Sequence, residues 1–153
     1  MPTDSTLDPI DRHILAELAA DGRLSIAELS RRVNLSKTPC KLRVSRLEQE
    51  GYILGYRAVI AAERLGLSHV AFVEVRLSDT REAALQAFAK ALRAIPEVEQ
   101  AHMIASNFDF LLKVRTRDIA DYRRVLGEKI SALPHLAHTS THVSMESIKG
   151  ETL

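Results

Sequence analysis

The run Ser25 to Gln49, SIAELSRRVNLSKTPCKLRVSRLEQ, constrains the fold most, because its punctuation divides it into two short helices joined by a sharp turn. Ser25 followed by Glu28 has the form of a capping box that starts the first helix, and Asn34 suits the left-handed residue that ends it. Ser36 then stands where a hydroxyl can cap a second helix, and Pro39 falls in that helix's first turn, where a missing N–H costs little.

Within the second helix Cys40, Val44 and Leu47 recur at i, i+4 and i+7, which makes them one apolar stripe facing a core. At about 100° per residue, Thr38, Leu42, Ser45, Arg46 and Gln49 point the other way, flanked by Lys41 and Arg43. A leucine amid polar groups on an exposed helix face is suited to a thymine methyl in a major groove. The expected division of labour puts Ser36, Lys37, Lys41 and Arg43 on phosphates and Thr38, Leu42, Ser45 and Arg46 at base edges.

Charge supports a groove-facing surface through its distribution, since the whole chain is only +1. Arg23, Arg31, Arg32, Lys37, Lys41, Arg43 and Arg46 stand against Glu28 alone, a local net of +6, whereas Asp4, Asp8, Asp11, Glu17 and Asp21 outweigh Arg12 in the first 22 residues, a net of −4. A positive stretch of this kind is the electrostatic footprint of phosphate binding, although a solvated helical hairpin carries similar charge.

With 153 residues, 46% hydrophobic and 27% charged, the chain has room for one ordinary domain or two small ones. The start, MPTDSTLDPID, has neither a basic n-region nor an apolar h-region, and no run reaches membrane-spanning length, so a cytoplasmic, nucleoid-associated protein is expected. Cys40 is the one cysteine and lies on the buried stripe, which excludes an internal disulfide and favours a small core residue over a nucleophile.

Before the hairpin, Asp8-Pro9-Ile10-Asp11 opens a helix with Ile10, Ile14, Leu15 and Leu18 inward, ending near Asp21-Gly22. After it, Gly51 ends the second helix and Tyr52 to Ile60 reads as a wing or short strand from which Arg57 can approach a phosphate. The expected division is a DNA-binding domain over residues 1–60, a linker over 61–68 that also suits a short helical turn, and a second domain over 69–153. In that second domain Val70 to Leu77, Val98 to Ile104, Phe110 to Thr116 and His138 to Met145 read as strands. Asp79 with Glu82 opens a helix lined by Leu85, Phe88, Leu92 and Ile95, and Asp118 opens another lined by Ile119, Tyr122, Leu126, Ile130 and Leu133.

The order β-α-β-β-α-β is that of the ferredoxin-like fold, so the chain as a whole is α+β. Both helices are expected on one sheet face. The other, with Phe72, Glu74, Arg76, His102, Lys113, Arg115, Ser140 and His142, mixes charge with apolar surface and suits a second copy, which predicts a homodimer.

The stretch from LDPIDRHIL to ILGYRA, and SKTPCKLRVSRLEQEG within it, resembles the winged helix-turn-helix of the Lrp/AsnC, or feast/famine, transcription regulators. The second half resembles that family's amino-acid-sensing domain, and the likeness extends from Leu7 to about Lys149. HVAFVEVRLSDTREAAL and VEQAHMIASNFDFLLKVRT resemble the proline-responsive members of the family.

The resemblance implies double-stranded DNA with a pseudo-palindromic operator, an amino-acid effector, and dimers that assemble further into octamers. It places the effector at the turn Ser106, Asn107, Phe108 and Asp109, with Thr139, Ser140 and Thr141 nearby. One position departs from the family pattern: Ser106 stands where glycine is usual, three residues before the aspartate. A tight turn offers free backbone N–H groups to a carboxylate, and Asp109 can meet an amino group. Asn107 tolerates the left-handed region if the turn demands it, while the Ser106 side chain narrows the space for a ligand.

The other readings are a DNA-organising protein without an effector, an ordinary hairpin turn in which Asp109 caps backbone groups, and a metal site or enzyme. His135, His138 and His142 are spaced H-x2-H-x3-H, which is not an established zinc pattern. No clustered nucleophile, base and acid and no phosphate loop appears, so neither an enzyme nor a cofactor is expected.

Overall fold

The computed structural model describes residues 7–149, which form two compact units divided between Ala58 and Val59. In the first unit, α1 (Pro9–Ala20), α2 (Ile26–Arg32) and α3 (Lys37–Gln49) enclose Ile14, Leu29, Val33, Cys40, Val44 and Leu47. The stripe expected on α3 is therefore the buried one, and Cys40 is a core residue.

Local chemistry accounts for the ends of these helices. Asp8 and Asp11 form a reciprocal capping box on α1, with Asp11 N donating to Asp8 Oδ1 at 2.7 Å. Ser25 Oγ accepts from Glu28 N at 3.1 Å, but the Glu28 carboxylate turns away to Arg31 and Arg32. Asn34 adopts φ 54° between α2 and α3, and Leu35 N closes the turn on Ser30 O at 2.8 Å. Gly51, at φ 77°, ends α3, with Tyr52 N reaching back to Leu47 O at 2.9 Å.

Ser36 is the N-cap of α3, but its side chain makes no capping bond. The helix begins at Lys37, so Pro39 occupies the third position and has no N–H to give. Pro39 thus removes one of the two N–H groups that the Ser36 hydroxyl could accept from, and the exposed hydroxyl caps neither position.

Tyr52 to Ile60 does not form the expected strand. Ile53 packs on the helical core and Tyr56 Oη donates to Glu48 at 3.0 Å, but Leu54 beyond Ile53 is 95% exposed. A strand needs a neighbour to bond, and this stretch has no ladder partner among the described residues. Residues 61–68 carry a short helical turn: Ala62–Leu65 is 3-10 helix, Ala62 is buried, and both belong with the second unit.

The second unit contains β1 (His69–Leu77), α4 (Glu82–Leu92), β2 (Val98–Met103), β3 (Phe110–Thr116), α5 (Ile119–Val125) and β4 (Leu136–Val143). The strands pair antiparallel in the order β2-β3-β1-β4, as the β-α-β-β-α-β sequence requires. Ala71, Val73, Val75 and Leu77 alternate inward against Phe88, Leu92, Tyr122, Val125 and Ile130.

Two expected details differ here. Arg81, not Asp79, is the N-cap residue of α4. Asp79 instead accepts from Arg81 N at 2.9 Å and from its guanidinium at 2.6 Å. Ile119 is 53% exposed, being the first residue of α5, while Val125 is fully buried, because a turn of π-helix over Leu126–Ile130 shifts the phase in which the helix faces inward.

The guanidinium and backbone N–H of Arg81 hold the Asp79 carboxyl down to about 2. A depressed carboxylate contributes stability that is complete above its unfolded pKa of about 3.9 and lost as pH falls through the folded value. Asp79→Asn is therefore expected to melt below the parent at pH 6 and together with it near pH 2, by circular dichroism. A difference in melting temperature that persists unchanged at the acid end would contradict this.

Candidate functional site

On α3, Lys37, Thr38, Lys41 and Leu42 are exposed, Leu42 at 66%, while Ser45 and Arg46 are half-buried. Among the described residues Lys37 and Lys41 make no ion pair, so their charges are directed to solvent. The two arginines differ. Arg43 Nη1 donates to Asp8 Oδ2 at 2.5 Å and Asp11 Oδ1 at 2.8 Å, and Arg46 Nη2 donates to Asp11 Oδ2 at 2.5 Å.

In this structure both guanidinium groups, expected from the sequence to meet a phosphate and a base edge, engage carboxylates of α1. Asp11 is 1% exposed and satisfied by both. The same contact holds the Asp8 carboxyl below its ordinary pKa, through the Asp11 backbone N–H first and Arg43 second. Asp11 as a partner of α3 was missed from the sequence. Its only trace there was the acidic segment preceding the basic one.

The turn between β2 and β3 closes through Ile104 N to Asp109 O at 2.9 Å. Asp109 N donates to Val75 O at 2.8 Å, and Leu77 N donates to Asp109 Oδ2 at 2.7 Å. One carboxylate oxygen of Asp109 thus extends the β1–β3 ladder, the backbone-capping alternative, rather than standing wholly free for an amino group. Neither Ser106 nor Asn107 has positive φ, so the turn forms without the left-handed residue that glycine would supply.

Ser106 and Asn107 are exposed, with Ser106 Oγ on Asn107 Oδ1 at 2.9 Å, and Phe108 is half-buried. The N–H groups of Ser106, Asn107 and Phe108 make no hydrogen bond among the described residues. Across β1 lies β4, where Thr139 pairs with Val75, Ser140 with Glu74 and Thr141 with Val73. The turn and Thr139 are brought to the same end of β1, about 10 Å apart given two strand spacings.

Strand alternation separates the β4 trio, however. Thr141 lies on the helix-covered face, where its Oγ1 meets Tyr122 Oη at 2.5 Å, and burial pushes the Tyr122 hydroxyl up. Ser140 lies on the opposite face, beside Glu74.

That opposite face is partly occupied by its own charges. Glu99 sits at a register shift in β2 and pairs with both Arg115 and Lys113, the latter at 3.3 Å, and Arg115 also donates to Leu67 O at 3.1 Å. Arg115 and Lys113 are consequently buried, while His142 Nε2 lies 3.3 Å from Glu74 Oε1 and Phe72 stays 37% exposed.

Comparison with known proteins bears on both units. Residues 7–53 match the winged helix-turn-helix DNA-binding model, and residues 70–153 match the Lrp/AsnC ligand binding domain. The chain is 61% identical over 143 residues to the proline dehydrogenase transcriptional activator of Rhizobium radiobacter, covering 94% of this chain and 92% of that one. It is 44% identical to the leucine-responsive regulatory protein of Escherichia coli K12, covering 94% and 87%. A transcriptional regulator from Neisseria meningitidis, solved as its L-Met complex, superposes with a TM-score of 0.89 at 30% identity, covering 95% and 94%.

A helix-turn-helix with an exposed cationic face and a ligand-binding sheet domain thus occur in one chain in the order these relatives have, and the chain belongs to the Lrp/AsnC family of transcription regulators.

Proposed function

We propose that this regulator controls proline catabolism in response to proline. The observation that carries the reading is the 61% identity, over nearly all of both chains, to a proline dehydrogenase transcriptional activator, with 56% to another from Rhodobacter capsulatus. It acts as a homodimer joined through the sheet face that bears Phe72, Glu74 and His142, and the dimers assemble into octamers. Two copies of α3 in a dimer read a pseudo-palindromic operator, with Ser36, Lys37 and Lys41 on phosphates and Thr38, Leu42 and Ser45 toward base edges.

The effector's carboxylate is received by the three unpaired N–H groups of the Ser106–Phe108 turn. Asp109 keeps one carboxylate oxygen on Leu77 and turns the other toward the effector's amino group. Thr139, at the same end of β1 as the turn, completes the site from β4.

Thermal melting of the full chain against single amino acids tests this. Proline at a hundred times its dissociation constant adds about 2.7 kcal/mol to folding stability. A melt moved by another amino acid and not by proline overturns the assignment. If none moves it, the side chain at Ser106 has closed the site, and the effector-independent DNA-organising reading takes its place.

A further inference from the structure

The basic segment that contains α3 does not present all its charge outward. Asp11 is 1% exposed and takes one guanidinium on each carboxylate oxygen, Arg43 at 2.8 Å and Arg46 at 2.5 Å, while Asp8 takes Arg43 again at 2.5 Å. Two carboxylates and two guanidinium groups cancel. The Nε of Arg46 is also buried and has no hydrogen-bond partner among the described residues, so that edge of the guanidinium is turned inward. Lys41 and Lys37, about one and a half and two and a half turns from Arg46 along the same helix, are exposed and unpaired among the described residues.

We propose that Asp11 is a clamp that holds Arg43 and Arg46 off the DNA, leaving Lys37 and Lys41 as the phosphate contacts of α3 and limiting sequence-independent binding. The proposal rests on the reading that α3 meets DNA. Its physical basis is an imbalance between partners. Releasing either guanidinium to a phosphate leaves a desolvated carboxylate short of its counter-charge, whereas the phosphate is already screened by solvent and counterions. Sequence-independent affinity grows with each phosphate neutralised, so two arginines kept from the backbone lower it and leave discrimination to the groups at base edges.

The salt dependence of binding separates clamped from free cations. Each phosphate contact contributes about 0.9 to the slope of log K against log salt concentration. The full-length chain is titrated onto a labelled random-sequence duplex by fluorescence anisotropy over a range of salt. Lys41→Ala is expected to flatten the slope by about 0.9 for each protomer bound, and Arg46→Gln to leave it at the parent value. Asp11→Asn, which frees one positive charge, is expected to steepen the slope and tighten binding to random DNA.

A slope that flattens in Arg46→Gln as it does in Lys41→Ala overturns the clamp while leaving α3 on the DNA. An unchanged slope in Lys41→Ala overturns the placement of α3 itself, and the clamp with it. An Asp11→Asn chain that folds but binds random DNA as the parent does also overturns the clamp. Should that variant fail to fold, the Arg46→Gln measurement decides alone.

Discussion

Replacing Phe88 by alanine is expected to destabilise the second unit by about 3 to 5 kcal/mol, the largest effect expected of a single substitution in this chain. Phe88 is fully buried on α4, and its ring centroid lies 4.8 Å from that of Phe110 on β3 at a tilt of 37°. Truncation removes the apolar area, leaves a cavity between helix and sheet, and forfeits the tilted ring contact. At about 4 to 8 °C per kcal/mol for a domain of this size, the unit's melting temperature should fall by more than about 12 °C in scanning calorimetry. A fall of only a few degrees would mean that the sheet collapses onto the helix at no great cost, and that Phe88 is not the central packing residue.

The second largest effect is expected from Asp11→Ala, at about 2 to 3 kcal/mol from the first unit. Removing one member of a buried ion pair costs about 3 to 5 kcal/mol when the orphaned charge stays buried. Here the orphans are guanidinium groups whose side chains are 29% and 43% exposed, so they rehydrate in part and the cost is lower. The substitution also removes the carboxylate that accepts from Asp8 N at 3.3 Å in the capping box.

Asp8→Ala supplies the contrast. Its side chain is 41% exposed, and it chiefly loses the cap bond to Asp11 N, a smaller loss. Chemical denaturation of the full chain distinguishes the two. If Asp8→Ala is as damaging as Asp11→Ala, burial of Asp11 is not the source of the effect, and the network is an ordinary surface pairing.

Much of the fold was legible because short-range rules act on short segments. The stripe Cys40, Val44 and Leu47 is buried as its spacing required, and Asn34 and Gly51 take the left-handed conformations that their places at helix ends suggest. The alternation of Ala71, Val73, Val75 and Leu77 set the inner face of β1. Where two local signals competed, the sequence was misleading. Ser36 and Pro39 each suit the start of α3, yet the proline removes one of the two N–H groups the serine could bond, and the serine makes no cap. Asp79 and Arg81 lie two apart, and the guanidinium held the carboxylate that was expected to cap α4.

The candidate sites were legible in part. Their location comes from pattern: an exposed polar face on α3, and a turn with free N–H groups at the end of β1. The state of individual side chains does not, because it depends on partners far away in the chain. Arg46 reads as an exposed cation until α1 brings Asp11, 35 residues earlier, to 2.5 Å. Thr141 reads as one of three hydroxyls beside the turn until pairing with Val73 places it on the helix side, against Tyr122.

By itself the sequence determined most of the elements, their order, most of the faces they bury and the local charge that marks α3, since each depends on periodicity or composition over a few residues. Tertiary structure alone decided which charges remain available for a ligand. An ion pair between distant residues leaves no periodic trace, and its strength depends on burial that only the packed helices create.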